Sequence, residues 1–288
     1  MKLVATQRSA LGFLSLAALI AVYTLVASRL SRPDILPTAE EIVESFFALV
    51  GRGYQQPASD QQVHQHHHVH SSDQVETLVQ QGVTLQVSLA ISVARVLFGL
   101  VVGLPLGILM GLWMGWNRRA DDFLHPIYVL VRSVPPLALI TYVMLWLGHS
   151  EAHRLIPIVY AVATTAVIPT YHGVRDVAAR YVVAARSLGA RGRLLLTKVV
   201  LPAASPAVLG ALRYSIAIAW MTTVGAEMLM AENGMGNFLV GGGLWSSRLQ
   251  TRSDPAVIMV GILSLAAAGW SMDAAARGIA ARLTRWVG

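Results

Sequence analysis

Residues 82–116, GVTLQVSLAISVARVLFGLVVGLPLGILMGLWMGW, decide the fold, because one charged residue, Arg95, interrupts this long apolar run. About 20 helical residues cross the hydrocarbon layer, and only helices or closed barrels satisfy their backbone groups there. A run of this length predicts a transmembrane helix that tilts, kinks at Pro105 or projects beyond the bilayer. The segment is therefore predicted to be one span of an all-α, polytopic membrane protein.

Five further apolar runs bring the predicted number of transmembrane helices to about six. The first is longer than the apolar core of a signal peptide, about 7–15 residues, which favours an uncleaved span. The composition agrees, since 13% of residues are charged against about 25% in soluble domains. The five runs are Ser9–Ser28, Phe123–Leu147, Leu155–Tyr171, Pro206–Met230 and Pro255–Met272.

The distribution of lysine and arginine predicts the orientation in the membrane. With both termini in the cytoplasm, 13 of the 22 basic residues fall in cytoplasmic segments and 6 in external ones, as the positive-inside rule requires. The net charge of +7 is explained by this bias better than by nucleic-acid binding. We therefore expect contact with lipid and no nucleic-acid partner.

The N-terminal part of the chain, residues 1–81, differs from the core, residues 82–288. After the first span, Thr38 and Glu41 form a capping box before an amphipathic helix, predicted to lie at the outer interface. The Gln- and His-rich stretch that follows has the composition of a disordered loop. Its histidines are candidate ligands for zinc, nickel or copper, or alternatively form a pH-sensitive loop. They are His64, His66, His67, His68 and His70.

Charged and helix-breaking residues in the spans are candidates for a translocation pathway. A charge at the centre of a membrane helix costs at least about 2.5–3.5 kcal/mol and usually faces a cavity or a partner. For the arginines, an equal alternative is that they lie near the span ends and snorkel to the interface. For the Pro-Pro pair, an equal alternative is a simple kink in the helix. Glu227 lies about 14 residues, or roughly 21 Å of helix, beyond Arg213, so these two cannot pair directly. The candidates are Arg95, Arg132, Pro135, Pro136, Arg213, Trp220, Glu227 and Met228.

Glycine recurs at every fourth position of the second span. Small residues at this spacing let helix backbones approach closely in lipid, so the stripe predicts a packing face. The neighbour could belong to the same chain or to another copy, and a pore-lining face is the further alternative. The stripe consists of Gly99, Gly103, Gly107, Gly111 and Gly115.

Residues 172–202 form a basic loop with helical patterning, predicted to lie on the cytoplasmic side. Asp176 is expected to cap a first helix that ends at Gly189, and a second short helix runs from about Arg191 to Val200 and stops at Pro202. A structured hairpin outside the lipid needs a surface to pack against. A partner protein is the natural candidate.

Enzyme signatures are absent from the sequence. No G-x-x-x-x-G-K-[ST] motif occurs, and neither of the two lysines, Lys2 and Lys198, follows a glycine-rich loop, so the chain cannot itself be a P-loop ATPase. The lack of cysteine excludes disulfides and thiolate metal sites. We expect no catalytic residue and no cofactor in this chain.

Several segments carry a family resemblance. Residues 183–190, VAARSLGA, followed by VVLP at 199–202, resemble the EAA loop of ABC importer permeases, with Val183 in place of the usual glutamate. Residues 132–138, RSVPPLA, resemble a segment of taurine/nitrate/sulfonate-type importer permeases, as do GAEM at 225–228 and RLTRW at 282–286.

The resemblance implies a type I importer permease fold in the bacterial inner membrane, with both termini cytoplasmic. It also implies a second permease copy as a homodimer, two ATP-binding subunits that use ATP and Mg, and an extracytoplasmic substrate-binding protein. The substrate would be a small anion such as a sulfonate, taurine or nitrate. The implied coupling residues are Val183, Ala184, Ala185, Arg186, Leu188, Gly189, Leu201 and Pro202.

Other functions stay open at this point, among them an interaction protein with no role in transport. The same architecture could import a metal or metal chelate, with the histidine cluster as an external collector. The chain could instead be a secondary transporter that works without an ATPase.

Overall fold

In the residues that the computed structural model describes, all regular secondary structure is helical. The described residues are 18, 20–26, 37–51, 85–148, 150–177, 179–229, 233–240 and 255–284. Beyond the helical residues 20–26, the helices in this part are α1 (Ala39–Gly51), α2 (Leu85–Trp116), α3 (Arg118–Arg132), α4 (Pro136–Leu147), α5 (Glu151–Arg175), α6 (Ala179–Ser187), α7 (Gly192–Leu195), α8 (Leu201–Met228), α9 (Met235–Leu239) and α10 (Pro255–Leu283).

The chain divides into two compact units. One comprises Met1–Gln86 and Phe238–Leu263, and the other comprises Val87–Asn237 and Ser264–Gly288. In the first unit, the predicted capping box at the start of α1 is confirmed. The Thr38 N–H donates to Glu41 Oε2 at 2.9 Å and the Glu41 N–H donates to Thr38 Oγ1 at 3.3 Å. Phe46 and Phe47 of α1 are exposed, as the predicted apolar face requires.

Four helical segments in the described residues are long and apolar enough to cross a bilayer, namely α2, α5, the run Gly192–Met228 and α10. Helices α3 and α4 together could make a fifth span. This confirms the polytopic all-α fold, while most of the predicted first span, Ser9–Ser28, lies outside the described residues. Helix α5 extends at both ends beyond the apolar run Leu155–Tyr171, and α10 extends past Met272 to Leu283. A helix continues wherever its backbone bonds are kept, so polar residues prolong it beyond the hydrocarbon.

In the segment Phe123–Leu147 the helix is broken rather than kinked, since α3 and α4 are bent by 82° at a break that contains Pro135. Pro135 has no N–H to donate to the Val131 carbonyl one turn back. The Tyr160 hydroxyl of α5 donates to the Val131 oxygen instead, and also to the Val134 oxygen at 3.0 Å. The broken backbone is therefore satisfied by the protein, as a break at membrane depth requires.

The prediction that Pro202 stops a short helix is wrong. A π-helical turn, Leu196–Val200, joins α7 to α8, and the helix runs on through Pro202 to Met228. In this turn the Leu201 N–H donates to the Leu196 carbonyl, five residues back. The wider turn relieves the clash that a proline ring makes with the carbonyl four residues before it. The second arm of the predicted hairpin is therefore the beginning of a membrane-spanning helix.

The glycine stripe of α2 packs against α5 of the same chain. A Cβ atom added at Gly107 would lie 2.3 Å from the Ala163 carbonyl oxygen, and one at Gly103 would lie 2.6 Å from the Val159 oxygen. Real side chains almost never approach so closely, so these positions bring two helix backbones together. The stripe is thus an intramolecular packing face of the kind that small residues provide in lipid. Gly99, Gly111 and Gly115 contact α5 in the same way.

We expect Gly107→Ala to destabilise the protein. The added methyl group meets a backbone oxygen that cannot rotate away, and overpacking of this kind costs typically about 1–3 kcal/mol. The matched control is Gly210→Ala in α8, where an added Cβ meets nothing within 4 Å. The temperature at which half of the purified protein is lost from the monodisperse fraction measures the effect. Equal temperatures for the two variants would contradict the packing role of the stripe.

Candidate functional site

The basic loop folds as a helical hairpin, made of α6 and α7, at the end of the second unit where α5 stops and α8 starts. Leu195 and Val200 are buried at its base, each with 2% of its surface exposed. Val200 packs with Val174 of α5 and Ala204 of α8. The base of the hairpin is therefore fixed to the two long helices.

Gly189 makes the turn at the tip of the hairpin, as predicted. Its φ is +86°, in the left-handed region that glycine adopts most readily. The Gly189 N–H donates to the Arg186 oxygen at 3.0 Å, and the Ala190 N–H donates to the Ala185 oxygen at 2.9 Å. This pair of bonds is a Schellman motif, which closes the C-terminus of α6.

The predicted coupling residues lie at the exposed end of the hairpin and at its root. Leu188 has 88% of its surface exposed and Val183 has 62%. Ala184, Arg186 and Gly189 are also exposed, whereas Ala185, Leu201 and Pro202 are partly buried. Two large exposed apolar side chains, one next to a rigid turn and one on the helix before it, are suited to contact with a protein partner.

The predicted role of Asp176 as the N-cap of the first hairpin helix is not what the structure has. Asp176 is the C-cap of α5, where its N–H donates to the His172 oxygen at 2.8 Å. Helix α6 begins only at Ala179. The reason is that α5 continues as a helix through Arg175, past the apolar run that defined the predicted span.

A groove of about 480 Å³ lies beside the hairpin, between the end of α5, α6 and the first turns of α8. Its polar groups come from His172, Asp176 and Tyr181, and the rest of the lining consists of proline, glycine, alanine and valine residues. A second polar cluster lies at the same end, where the Tyr171 hydroxyl donates to Asp121 Oδ2 at 2.9 Å and Arg175 pairs with the same carboxylate. These bonds tie α3 to α5 next to the hairpin.

Arg95 is at the opposite end of the unit, in a charge cluster in which Glu227 is buried and the Glu151 side chain is 54% exposed. The Arg95 side chain is 5% exposed. Its Nε and Nη2 donate to the Glu151 carboxylate at 3.1 and 2.8 Å. Its Nη1 donates to Glu227 Oε1 at 2.7 Å, and Nη1 and Nη2 donate to the oxygens of Asn233 at 3.2 and 2.5 Å. Arg154 forms a further ion pair with Glu151.

Glu227 is the buried acceptor of this cluster, with a side chain that is 0% exposed. The Ser92 hydroxyl lies 2.8 and 2.7 Å from its two oxygens, and the Gly236 N–H donates to Oε2 at 3.0 Å. Ser92 Oγ in turn accepts from the Met235 N–H at 2.8 Å. The structure therefore places Arg95 and Glu227 in one ion pair, and their predicted role in a pathway stays a prediction.

The remaining pathway candidates are scattered. Arg213 pairs with Asp273 of α10 at 2.9 Å, and Arg277 pairs with the same aspartate. Both arginine side chains are about half exposed, at 48% and 44%. Trp220 is buried in the core between α2, α5 and α8. Arg132, Pro135 and Met228 are exposed and Pro136 is partly buried.

Sequence reasoning missed the partners of these charges. Ser92, Glu151, Asn233 and Asp273 were not singled out, since Ser92 is an ordinary polar residue of a span and the other three lie at or beyond span ends. One signal was available for Glu151. It stands three residues before Arg154, the spacing of an ion pair on one helix face.

The predicted metal ligands, His64 to His70, lie outside the described residues. Among the residues that the structure does describe, no group of three His, Asp or Glu side chains is placed to hold a metal ion. The metal prediction therefore remains untested.

The family of binding-protein-dependent transport system inner membrane components matches residues 103–285. A probable ABC transporter permease protein of Brucella melitensis is 33% identical over 60% of this chain and 67% of its own length. The taurine transport system permease protein TauC of Escherichia coli is 32% identical over 57% of this chain. The chain spans 58% of the length of TauC.

The fold is also similar to a solved structure. The matched chain comes from an inward-facing structure of the MetNI methionine ABC transporter, with a TM-score of 0.55 over 72% of this chain and 96% of that chain. The sequence identity is 20%, so this likeness concerns the fold alone.

Proposed function

This chain belongs to the family of binding-protein-dependent transport system inner membrane components, and on that premise we propose that it forms the pathway of an ABC importer for a small anion. Two copies of the chain line the pathway. Two ATP-binding subunits, which carry ATP and Mg, bind on the cytoplasmic side, and an external substrate-binding protein delivers the anion. The chain itself spans the bacterial inner membrane several times, with both termini in the cytoplasm.

The observation that carries the proposal is the hairpin of α6 and α7. At its tip Leu188 has 88% of its surface exposed, and the nearby Val183 has 62%; a protein partner that covers both would remove this apolar surface from water. A groove on an ATP-binding subunit would bury Leu188 and Val183. The exposed Arg186 would lie at the polar rim of that interface.

The hairpin is suited to transmit movement because it is rigid at its base. Val200 packs with Val174 of α5 and Ala204 of α8, Leu195 is buried, and α8 continues from the hairpin without a break. A displacement of the tip by a partner is therefore carried into a membrane-spanning helix as a rigid-body motion, rather than absorbed by a flexible loop.

The choice of an anion rests on two supports. The first is the likeness to TauC, whose name gives taurine, an aminosulfonate, as the transported compound. The second is the half-exposed guanidinium groups of Arg213 and Arg277 on α8 and α10. Exposed charges on membrane-spanning helices usually face a water-filled cavity or a partner, and cations there attract an oxyanion such as a sulfonate or nitrate.

Reconstitution tests the proposal. The chain is co-expressed with its genomic neighbours that encode an ATP-binding and a substrate-binding protein, and the complex is placed in proteoliposomes. We expect uptake of a sulfonate, taurine or nitrate that requires ATP and the binding protein, together with ATP hydrolysis stimulated by the loaded binding protein.

Two outcomes would contradict the proposal. Transport by the purified chain alone, driven by an ion gradient, would identify a secondary transporter. Uptake of a metal or metal chelate that is lost when His64–His70 is deleted, with no uptake of any of the three anions, would identify a metal importer.

A further inference from the structure

We infer that Arg95, Glu227 and Ser92 are positioning residues that hold the turn from Asn233 to Gly236 as a fixed part of the outer rim of the pathway. They do not bind the transported anion. The placement of this turn at the outer rim rests on the proposed function, whereas the anchoring of the turn does not.

Arg95 has no bonding capacity left for a substrate. A guanidinium group has five N–H donors, and the five bonds to Glu151, Glu227 and Asn233 use all of them. The cluster is also neutral, since the charges of Arg95 and Arg154 balance those of the two glutamates. An anion would have to displace a carboxylate from a buried guanidinium, which is unfavourable.

The backbone of the turn fits closely around the Glu227 carboxylate. Gly234 has a φ of +105°, and a Cβ atom added there would lie 2.4 Å from Glu227 Cδ. Gly236 and Met235 donate their N–H groups to Glu227 and Ser92. Buried hydrogen bonds to an ionised carboxylate are strong, so the turn is fixed by the contacts of its main chain to the cluster.

The turn must move together with the helices that hold it. Arg95 belongs to α2, Glu151 to α5 and Glu227 to α8, and the glycine stripe locks α2 to α5 by direct backbone contact. Separating α2 from α8 would leave the Glu227 carboxylate, which is 0% exposed, without its ionic partner, and a buried unpaired charge is costly. The cluster lies at the end of these helices opposite the hairpin. In the proposed function that end faces outwards.

Thiol labelling tests whether the turn is anchored and fixed. The chain contains no cysteine, so a single Asn237→Cys substitution, two residues beyond Met235, gives a unique reporter. The complete complex in nanodiscs is labelled with a membrane-impermeant maleimide. We expect the same rate without nucleotide and after trapping with ATP and vanadate. A rate that changes between the two states would show a moving gate and would overturn the inference.

The second experiment displaces the turn without removing a charge. Gly234→Ala, in the Asn237→Cys background, places a methyl group against Glu227 at a backbone conformation that alanine disfavours. We expect labelling to become about tenfold faster or more, as for a segment that opens locally. Gly210→Ala is the matched control and should leave the rate unchanged. If Gly234→Ala labels as slowly as the control, the turn is not anchored by this contact.

Uptake kinetics separate positioning from substrate binding. Lysine keeps the charge of Arg95 but cannot make five bonds, so Arg95→Lys should lower the maximal uptake rate and leave the KM for the anion unchanged. A raised KM with an unchanged maximal rate would identify Arg95 as a substrate ligand. Should Arg95→Lys fail to insert, Ser92→Ala serves instead, with the same expectation. The labelling arms need no transport, so a failure of the proposed function leaves them interpretable.

Discussion

Replacing Gly189 with valine is expected to remove ATP-dependent uptake while the complex still assembles in the membrane. Gly189 has a φ of +86°, which a β-branched residue adopts only with strain of order 1–3 kcal/mol. The Schellman turn would rearrange, and Leu188 would leave the position at which the proposed ATP-binding subunit contacts it. Uptake should fall to the level seen without ATP, and ATP hydrolysis should lose its dependence on the loaded binding protein.

Gly189→Asn is the matched control for this experiment. Asparagine tolerates the left-handed region far better than valine does, and an added Cβ at this position meets no atom within 4 Å. The asparagine variant should therefore keep most of the uptake. Valine and asparagine variants that are equally active would mean that the geometry of this turn does not matter for transport. Equally inactive variants would point to a need for glycine beyond its backbone conformation.

The character of the charged residues could be inferred from the sequence, but their partners could not. A charge in an apolar span indicates a cavity, a partner or, for an arginine, snorkelling, and the distance along the helix excludes Arg213 as the partner of Glu227. The true partner, Arg95, is 132 residues away. Finding it requires the packing of α2 on α8, which no local periodicity contains.

The glycine stripe likewise predicts that a contact exists but not which helix makes it. Its four-residue spacing predicts close contact with another helix, and the contact is there, from Gly99 to Gly115. The pattern is silent on which helix approaches, because α5 carries no matching glycine stripe and contributes its own backbone oxygens. The wrong prediction at Pro202 has a local cause, since a proline usually ends a helix unless a wider π-helical turn precedes it.

Removing the charge of Arg95 is expected to be the most destabilising single change in the described part of the chain. Arg95→Met would leave the Glu227 carboxylate, which is 0% exposed, without its ionic partner. Breaking a buried pair from one side costs roughly 3–5 kcal/mol. We expect a large loss of monodisperse protein and a much lower melting temperature. A protein as stable as the unmodified chain would contradict the burial of this pair.

The double variant Arg95→Met/Glu227→Met decides whether the loss comes from the unpaired charge or from lost packing. Replacing both partners with apolar groups of similar size is often close to neutral, and Glu151 keeps Arg154 as its partner. The double variant should therefore regain much of the stability that Arg95→Met loses. Its turn at Asn233 should nevertheless stay loose, because Gly236 and Asn233 no longer have a charged partner to bind. Stability that returns without transport would separate the two roles of the cluster, since pairing of the charges maintains the fold and their contacts to the turn shape the pathway.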